Sequence, residues 1–357
     1  WGAGLILWDL LTRRRMFKGV YWAIPLLMIA ACGITILLNI QYSFYMGIKH
    51  LIYLGISLLI LYGQDRKSSF EELKKLLYRL NLIIIGVVFC AGIVSIVMFV
   101  FKISFTFYND DTLLRQGFLE NRLFGVYTSP NTGALFVIIS LAAMMINSVI
   151  KHQGKMKFHW FYYVNLVVQA IYFSLTLSHG GTLTLVAFFI LLTVCYIFPK
   201  MQAAKGTLKA VGVSLLAVVV LAGGSNVLVQ GIQYGMSYVP GFVEMVKQPE
   251  EPATPGKTEP QQNKVDFERI ESGDDLSNGR ITIWTGSLKA LRQHPLFGYA
   301  NMLWDEQDEL RFETSDFSAS ELEWLYRHNG NLHNAYVHIA AYSGIVGITL
   351  FLILGLL

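Results

Sequence analysis

Charge is scarce in this chain of 357 residues. Asp, Glu, Lys and Arg make up 15% of it, whereas a soluble domain usually holds about 25%. Hydrophobic residues make up 54%, and the mean hydropathy is +0.48. A composition this poor in charge excludes a soluble globular domain and indicates an integral membrane protein.

Acidic residues are absent from the long apolar runs, which predict eight full membrane helices. Ion-coupled carriers usually keep acidic residues at membrane depth, so this absence argues against a polar-solute transporter. A transporter is kept as the less favoured alternative function. A ninth run, Trp1–Leu11, has no initiator methionine and is expected to be a truncated first helix. The eight predicted helices lie at 20–40, 46–62, 80–101, 131–150, 160–178, 182–199, 208–230 and 334–357.

Signals for cofactors are also missing. The three cysteines, Cys32, Cys90 and Cys195, fall inside apolar runs and are expected to be small core residues. The sequence has no glycine-rich nucleotide loop, nucleophile elbow or nucleic-acid motif. Its acidic pairs lack the spacing of metal ligands. We therefore expect no cofactor, no metal site and no nucleic-acid partner.

Basic residues recur in every other short loop, which fixes the predicted orientation. By the positive-inside rule these loops are cytoplasmic, so that the alternate loops at 41–45, 102–130, 178–181 and 231–332 face outside. The formal net charge of +4 is therefore a signal of topology. The basic residues are Arg13, Arg14, Arg15, Lys18, Arg66, Lys67, Lys74, Lys75, Arg79, Lys151, Lys155, Lys157, Lys200, Lys205 and Lys209.

Composition divides the chain into three predicted regions. Residues 1–230 form a transmembrane bundle, 231–332 an extracytoplasmic loop, and 333–357 a C-terminal transmembrane helix. Within the loop, residues 240–275 hold five prolines and nine acidic residues, which predicts an irregular, mobile segment.

Two short helices are predicted in the rest of that loop, as a small helical extracytoplasmic subdomain. The first is amphipathic and can be capped by Ser277 or Asn278. The second covers 319–328, where Ser318 and Glu321 form a capping-box pattern. The apolar face predicted for the first helix consists of Ile281, Trp284, Leu288 and Leu291.

The C-terminal region carries three motifs in succession. They are Arg280-x-x-x-Trp284, Pro295-Leu296-x-Gly298 and His333-Asn334-x-Tyr336, with an apolar run directly after the last. In these elements the chain resembles the O-antigen ligase and Wzy-type polymerase superfamily. The resemblance implies an all-α, polytopic membrane helix bundle of the lipid-sugar glycosyltransferase (GT-C-like) type.

The resemblance also implies an activity and partners. We expect metal-independent, inverting glycosyl transfer on the outer face of the bacterial cytoplasmic membrane, from a polyprenyl-diphosphate-linked oligosaccharide to an acceptor hydroxyl. Polymerisation of a surface polysaccharide is the leading hypothesis. Ligase-type transfer to a lipid or protein acceptor is the alternative. Membrane lipids, a flippase and a chain-length regulator are the further expected partners.

Arg280 and His333 are the main candidate site residues. An arginine at a helix N-terminus suits phosphate oxygens, although spacing alone favours a solvated or loop-pairing arginine. A histidine can accept a proton from a sugar hydroxyl, although a lone interfacial histidine is often a structural anchor. The resemblance assigns donor-diphosphate binding to Arg280 and the role of catalytic base to His333.

Two further anion ligands are expected on other outer loops. Arg122 precedes Pro130-Asn131 and is separated from Gly133 by ten intervening residues, a spacing similar to that of Wzy-type polymerases. His179 lies in Ser178-His179-Gly180, where many relatives carry an arginine, so that it is expected to be a weaker, pH-dependent ligand for the diphosphate. Asn334, Tyr336 and His338 are the candidates for supporting His333.

Overall fold

The computed structural model describes residues 2–8, 11–12, 22–62, 69–109, 112–247, 264–267, 279–300, 312–327 and 332–356. The protein is mainly α-helical, as the sequence predicts, and each of the eight predicted membrane segments is helical. A π-helical turn at Thr193–Ile197 joins the helix that ends at Leu192 to the one that begins at Phe198. The helices are α1 (Gly2–Trp8), α2 (Ala23–Leu38), α3 (Ile40–Tyr62), α4 (Phe70–Val100), α5 (Pro130–Lys151), α6 (Trp160–Leu175), α7 (His179–Leu192), α8 (Phe198–Lys205), α9 (Thr207–Met236), α10 (Val239–Lys247), α11 (Arg280–Gln293), α12 (Ala319–Arg327) and α13 (Ala335–Leu356).

Five helical segments are long and apolar enough to cross a membrane: Phe70–Val100, Pro130–Lys151, His179–Lys205, Thr207–Val243 and Ala335–Leu356. Shorter apolar helices cover Ala23–Leu38, Gly47–Leu59 and Trp160–Leu175. The chain is therefore a multi-pass membrane protein. The predicted outer loop at 41–45 is absent, because α3 already begins at Ile40.

The chain forms two compact units, which are described separately. Unit 1 comprises residues 1–67 and 272–357, and unit 2 comprises 68–271. The two units are defined by which parts of the chain contact one another. The three regions predicted from the sequence are defined by their position relative to a membrane, and that division stays a prediction.

Unit 2 is built around α4, α5, α6 and α9. Buried aromatic and aliphatic side chains such as Phe99, Leu123 and Tyr172 form its core. Polar groups within this core bond across helices: the Gln169 amide donates to the carbonyl of Val88 at 3.0 Å. Such interhelical hydrogen bonds are typical of membrane bundles, where apolar surface alone gives little preference between protein and lipid.

A three-stranded antiparallel sheet occupies the predicted loop at 102–130. Strand β1 (Ser104–Asn109) pairs with β2 (Thr112–Leu119), which pairs with β3 (Arg122–Gly125). These strands are absent from the sequence-based prediction. The alternation of Phe105 and Phe107 with polar residues was a usable signal for β1.

The predicted mobile segment 240–275 needs a partial correction. Its first residues belong to α10, which contains Pro240 within its first turn, where proline is tolerated. Further along, the backbone N–H of Val265 donates to the carbonyl of Ser237 at 3.0 Å. Phe267 stacks on Phe99 with ring centroids 5.8 Å apart. Residues 248–263 and 268–275 lie outside the described residues.

In unit 1, α2 and α3 pack against α13, with Met28, Leu58 and Leu354 buried together. The last helix is predicted from sequence as one unbroken span, but the structure divides it at Gly344, whose φ of 68° and ψ of −167° are not helical. A glycine adopts this conformation without the Cβ clash of other residues.

The two halves of α13 fold towards each other at Gly344. The rings of Tyr336 and Phe351, on opposite sides of the break, meet edge to face with centroids 6.0 Å apart. In a straight helix, residues 336 and 351 would be separated by about 22 Å along the axis. The C-terminal apolar segment is therefore V-shaped.

Candidate active site

Arg280 is the first residue of α11, as the sequence predicts. The cap differs from the prediction, because Gly279 takes the N-cap position with a φ of 73°. A Cβ at Gly279 would also meet the Trp324 ring at 2.6 Å. No acidic residue stands in the first turn of α11. The start of α11 therefore combines the positive end of the helix dipole with the Arg280 guanidinium, and this combination suits an anion.

The buried face of α11 is not the predicted one. Ile281 is 60% exposed and Leu288 is 44% exposed, whereas the buried positions are Ile283, Gly286, Ser287 and Ala290. A Cβ at Gly286 would lie 2.9 Å from Leu325 of α12. Small residues therefore face α12 because the two helices approach closely, whereas Ile281 and Leu288 point outwards.

The contact between α11 and α12 is completed by an ion pair. The Lys289 ammonium donates to the Glu321 carboxylate at 2.7 Å. Glu321 also accepts from the backbone N–H of Ser318, which confirms the predicted capping box. Burial raises the pKa of Glu321, but these hydrogen bonds outweigh it and hold the pKa below its ordinary value. This stabilisation is present at neutral pH and is lost as the pH falls and the carboxylate is protonated.

Trp284 joins the first motif to the third. Its indole Nε1–H donates a hydrogen bond of 2.7 Å to the carbonyl oxygen of Leu332, which is 1% exposed. Trp284 lies one helical turn after Arg280, and Leu332 immediately precedes His333. The hydrogen bond therefore holds the arginine-bearing start of α11 next to the histidine-bearing turn.

His333 lies on the turn that leads into α13, with its side chain exposed and a φ of 49°. A positive φ is uncommon for a residue other than glycine and persists only where the surroundings enforce it. Two neighbours provide this enforcement. Leu332 is fixed by Trp284, and the side chain of Asn334 caps α13 by accepting from the backbone N–H of Tyr336 at 3.0 Å.

Tyr336 and His338, the other two residues expected to support His333, each have further neighbours within unit 1. Tyr336 is 60% exposed and packs on Phe351. His338 lines a cavity of about 330 Å³, together with His50 and Tyr342. The Tyr342 hydroxyl donates to the carbonyl of Gly47 at 3.4 Å, which ties α13 to α3.

The Pro-Leu-x-Gly motif supports the break in α13. The carbonyls of Pro295 and Leu296 accept from the backbone N–H groups of Ile345 and Val346, respectively, at 2.9 and 3.2 Å. In the opposite direction, the N–H groups of the two residues after the motif donate to carbonyls that lie three and two residues before Gly344. These bonds are Tyr299 N to Ala341 O at 3.0 Å and Ala300 N to Tyr342 O at 3.2 Å.

These four bonds have a clear physical reason. A helix broken inside an apolar segment leaves backbone groups that lipid cannot satisfy, and here the motif satisfies them. The approach is so close that a Cβ at Gly298 would lie 2.4 Å from the Ala341 oxygen, and one at Gly344 would lie 2.3 Å from the Leu296 oxygen. Both glycines also have positive φ, so their identity is dictated by this contact.

Unit 2 brings Arg122 and the His179 segment together. Glu120 and Asn121, both with positive φ, form a two-residue turn between β2 and β3, so that Arg122 opens β3 opposite Leu119. From there its Nε–H donates to the carbonyl of Thr176 at 3.2 Å.

The starts of α5 and α7 also meet in unit 2. The hydroxyl of Ser178 donates to the side-chain oxygen of Asn131 at 2.6 Å, and Ser178 accepts from the N–H of Gly181 as the cap of α7. His179 is exposed at the first position of α7. Two helix N-termini and Arg122 therefore give this end of unit 2 a positive potential, which favours anions.

Gly133 has a packing role. A Cβ there would meet the Tyr172 hydroxyl at 1.9 Å, and that hydroxyl donates to the carbonyl of Phe124 in β3 at 2.9 Å. The absence of a side chain at Gly133 therefore allows α5 to pack closely against α6, next to the strand that carries Arg122.

Residues 164–352 match the protein family described as O-antigen ligase, which is just over half of the chain. The chain belongs to the O-antigen ligase family. No curated protein and no solved structure gives a significant match to it. The matched region includes His179, Arg280 and His333, whereas Arg122 precedes it.

Membership of the O-antigen ligase family establishes a general activity. The protein is a membrane enzyme of the glycosyltransferase type, whose substrates are a lipid-linked glycan and an acceptor. Sequence reasoning identified the motifs of this family in unit 1, but missed that Trp284 bonds to Leu332. Nothing in the spacing of the two residues signals that contact, because 48 positions separate them along the chain.

Proposed function

We propose that the protein polymerises a surface polysaccharide on the outer face of the bacterial cytoplasmic membrane. The donor is a polyprenyl-diphosphate-linked oligosaccharide, and the acceptor is a hydroxyl of another lipid-linked repeat unit. A flippase that delivers the donor and a chain-length regulator are the partners this role requires. The observation that supports the proposal is the hydrogen bond from Trp284 to Leu332, because it connects the helix that starts at Arg280 to the turn that carries His333.

His333 acts as the general base in this proposal. The acceptor oxygen attacks the anomeric carbon on the face opposite the diphosphate, so that a new glycosidic bond forms as the bond to the diphosphate oxygen breaks. The proton of the acceptor hydroxyl passes to the imidazole of His333. Its exposed position and its turn, braced by Trp284 and Asn334, support this role, because a base must reach the substrate in a fixed orientation.

Arg280 binds the diphosphate leaving group. Negative charge grows on the diphosphate oxygens as the glycosidic bond breaks, and a guanidinium at a helix N-terminus stabilises that charge. The bidentate fork of arginine suits two phosphate oxygens at once. In this proposal the single displacement inverts the anomeric carbon and needs no metal ion, because the guanidinium supplies the positive charge at the diphosphate.

Arg122 and His179 supply a further anion site for the donor. They stand near the meeting N-termini of α5 and α7, where the backbone and Arg122 carry positive charge. His179 can donate a hydrogen bond to a phosphate oxygen, but it lacks the bidentate fork of an arginine and is therefore the weaker ligand of the two.

The decisive assay uses the full chain in proteoliposomes with a polyprenyl-diphosphate oligosaccharide. We expect a ladder of products longer by whole repeat units, formed equally with and without a chelator. The His333→Ala variant should yield no ladder at normal abundance in the membrane, whereas His152→Ala, at the end of α5, should retain it. Transfer of a single unit to a lipid or protein acceptor would show that the protein is a ligase and not a polymerase. Near-normal product from His333→Ala would remove His333 as the base.

A further inference from the structure

A basic pocket lies between the start of α4 and the end of α5, within unit 2. It has a volume of about 810 Å³. Its lining includes Lys74, Lys75 and Arg79 from the first turns of α4, and Lys151 from the last turn of α5. Glu71 is the one carboxylate in this lining.

The charge of the pocket is largely uncompensated by the described residues. Lys74 pairs with Glu71 at 2.8 Å, and this is the only salt bridge that the described residues form within the pocket. Lys75, Arg79 and Lys151 leave an excess of positive charge around one concave space. The first turn of α4 carries Glu71 and Glu72, and the pocket also adjoins the negative end of α5, so that the cationic side chains alone supply this excess of positive charge. The pocket therefore suits a compact anion with several oxygen acceptors, such as a phosphate group.

The surroundings of the pocket indicate that this phosphate belongs to a lipid. Exposed leucines, including Leu73, Leu76 and Leu80, stand beside the cations on α4. The apolar span of α4 follows immediately, so that the pocket is at the depth of lipid headgroups with apolar surface below it. A free phosphate ion would gain nothing from this apolar surface.

Within unit 2, the pocket lies far from Arg122. Arg122 lies near the other end of α4, and this helix is about 46 Å long for its 31 residues. Basic pockets between membrane helices commonly bind anionic headgroups on the face rich in Lys and Arg. Lys200 of α8, which donates to the carbonyl of Gly154 at 2.7 Å, places a second basic loop at the same end.

We propose that this pocket binds the headgroup phosphate of an anionic phospholipid, with the lipid chains lying along the exposed leucines of α4. The bound lipid bridges α4 and α5 at the membrane face opposite the sheet. This proposal is independent of the reaction, since none of the pocket residues belongs to the candidate active site.

Binding can be measured on the purified full chain by native mass spectrometry, with phosphatidylglycerol, phosphatidylcholine and inorganic phosphate as separate probes. We expect retention of phosphatidylglycerol well above phosphatidylcholine, and weaker retention at high salt. The double variant Lys75→Gln/Lys151→Gln should lower the affinity for phosphatidylglycerol about 25-fold, at about fivefold for each cation near the surface.

The matched control is Lys205→Gln/Lys209→Gln. It removes the same charge from exposed positions near the same end of unit 2 but outside the pocket, and it should retain phosphatidylglycerol as the unaltered chain does. Equal losses in both double variants, or equal retention of the two lipids, would overturn the proposal. Inorganic phosphate that displaces phosphatidylglycerol at comparable concentration would show an ion site instead of a lipid site. Size-exclusion profiles and the thermal midpoint check that both variants are folded.

Discussion

The indole N–H of Trp284 donates a 2.7 Å hydrogen bond to the carbonyl of Leu332, the residue before His333. The bond connects a helix that starts with Arg280 to a turn whose histidine has a positive φ. It explains why a tryptophan stands one turn after the arginine in the first motif. Only an aromatic side chain with a donor can both pack against Leu332 and satisfy its buried carbonyl.

Trp284→Phe should reduce glycosyl transfer about tenfold or more while the protein remains in the membrane. Phenylalanine keeps most of the packing but leaves the Leu332 carbonyl buried and unpaired, at a cost of about 1–3 kcal/mol. The turn that holds His333 then loses its brace. Initial rates and membrane abundance are the measurements. Trp160→Phe, at an exposed position in unit 2, should have no effect. Full activity in Trp284→Phe would show that His333 is positioned without this bond.

Arg280→Lys should lower activity substantially even though the charge is kept. Lysine loses the planar fork that can hold two phosphate oxygens. Arg292→Lys is the matched control, because Arg292 is exposed in the last turn of the same helix, and it should be nearly silent. Both variants are assayed with the lipid-linked donor over a range of concentrations. Equal activity would mean that Arg280 acts only as a point charge.

Gly344→Ala should prevent accumulation of folded protein. The new Cβ would lie 2.3 Å from the Leu296 oxygen, and the φ of 68° is strained for alanine. Gly212→Ala is the control, since a Cβ at that position in α9 meets nothing within 4 Å and should be neutral or slightly stabilising. Membrane abundance and the thermal midpoint distinguish the two. A normal thermal midpoint for Gly344→Ala would contradict the break in α13.

Cysteines at positions 336 and 351 should be joined by a short thiol crosslinker in a background without native cysteines. The parent rings, Tyr336 and Phe351, are 6.0 Å apart because α13 folds back at Gly344. The control pair Leu82→Cys/Val97→Cys has the same separation along the straight part of α4 and should remain unlinked. Electrophoretic mobility after crosslinking gives the result. A straight C-terminal helix would leave both pairs unlinked.

Tyr108→Cys should react with a membrane-impermeant thiol reagent in intact cells, whereas Gln153→Cys should react only after permeabilisation. Tyr108 is 75% exposed on β1, and Gln153 lies at the opposite end of α5 from the sheet, beside the basic residues Lys151 and Lys155. The positive-inside rule assigns the basic end to the cytoplasm. Reversed labelling would place the sheet and Arg122 in the cytoplasm and would refute the proposed side of the reaction.

The sequence alone determined the membrane helices and the residues of the motifs. Apolar runs of about twenty residues must be helical in lipid, because every backbone group has to be satisfied within the segment. The cap formed by Ser318 and Glu321 is likewise local, since it depends on residues three positions apart. The start of α11 at Arg280 could also be predicted, because it depends on the local spacing of apolar residues. Its N-cap residue was predicted wrongly.

The tertiary structure decided what distant residues do to one another. A break at Gly344 is stable only because the backbone of residues 295–300 supplies the missing hydrogen bonds, which no local pattern encodes. The contact of Arg122 with Thr176 joins residues 54 positions apart, and that of Trp284 with Leu332 joins residues 48 apart. Such contacts form only when helices and strands have packed, because packing brings each donor to its acceptor. The motifs could therefore be identified from sequence, whereas their assembly into a site depends on the fold.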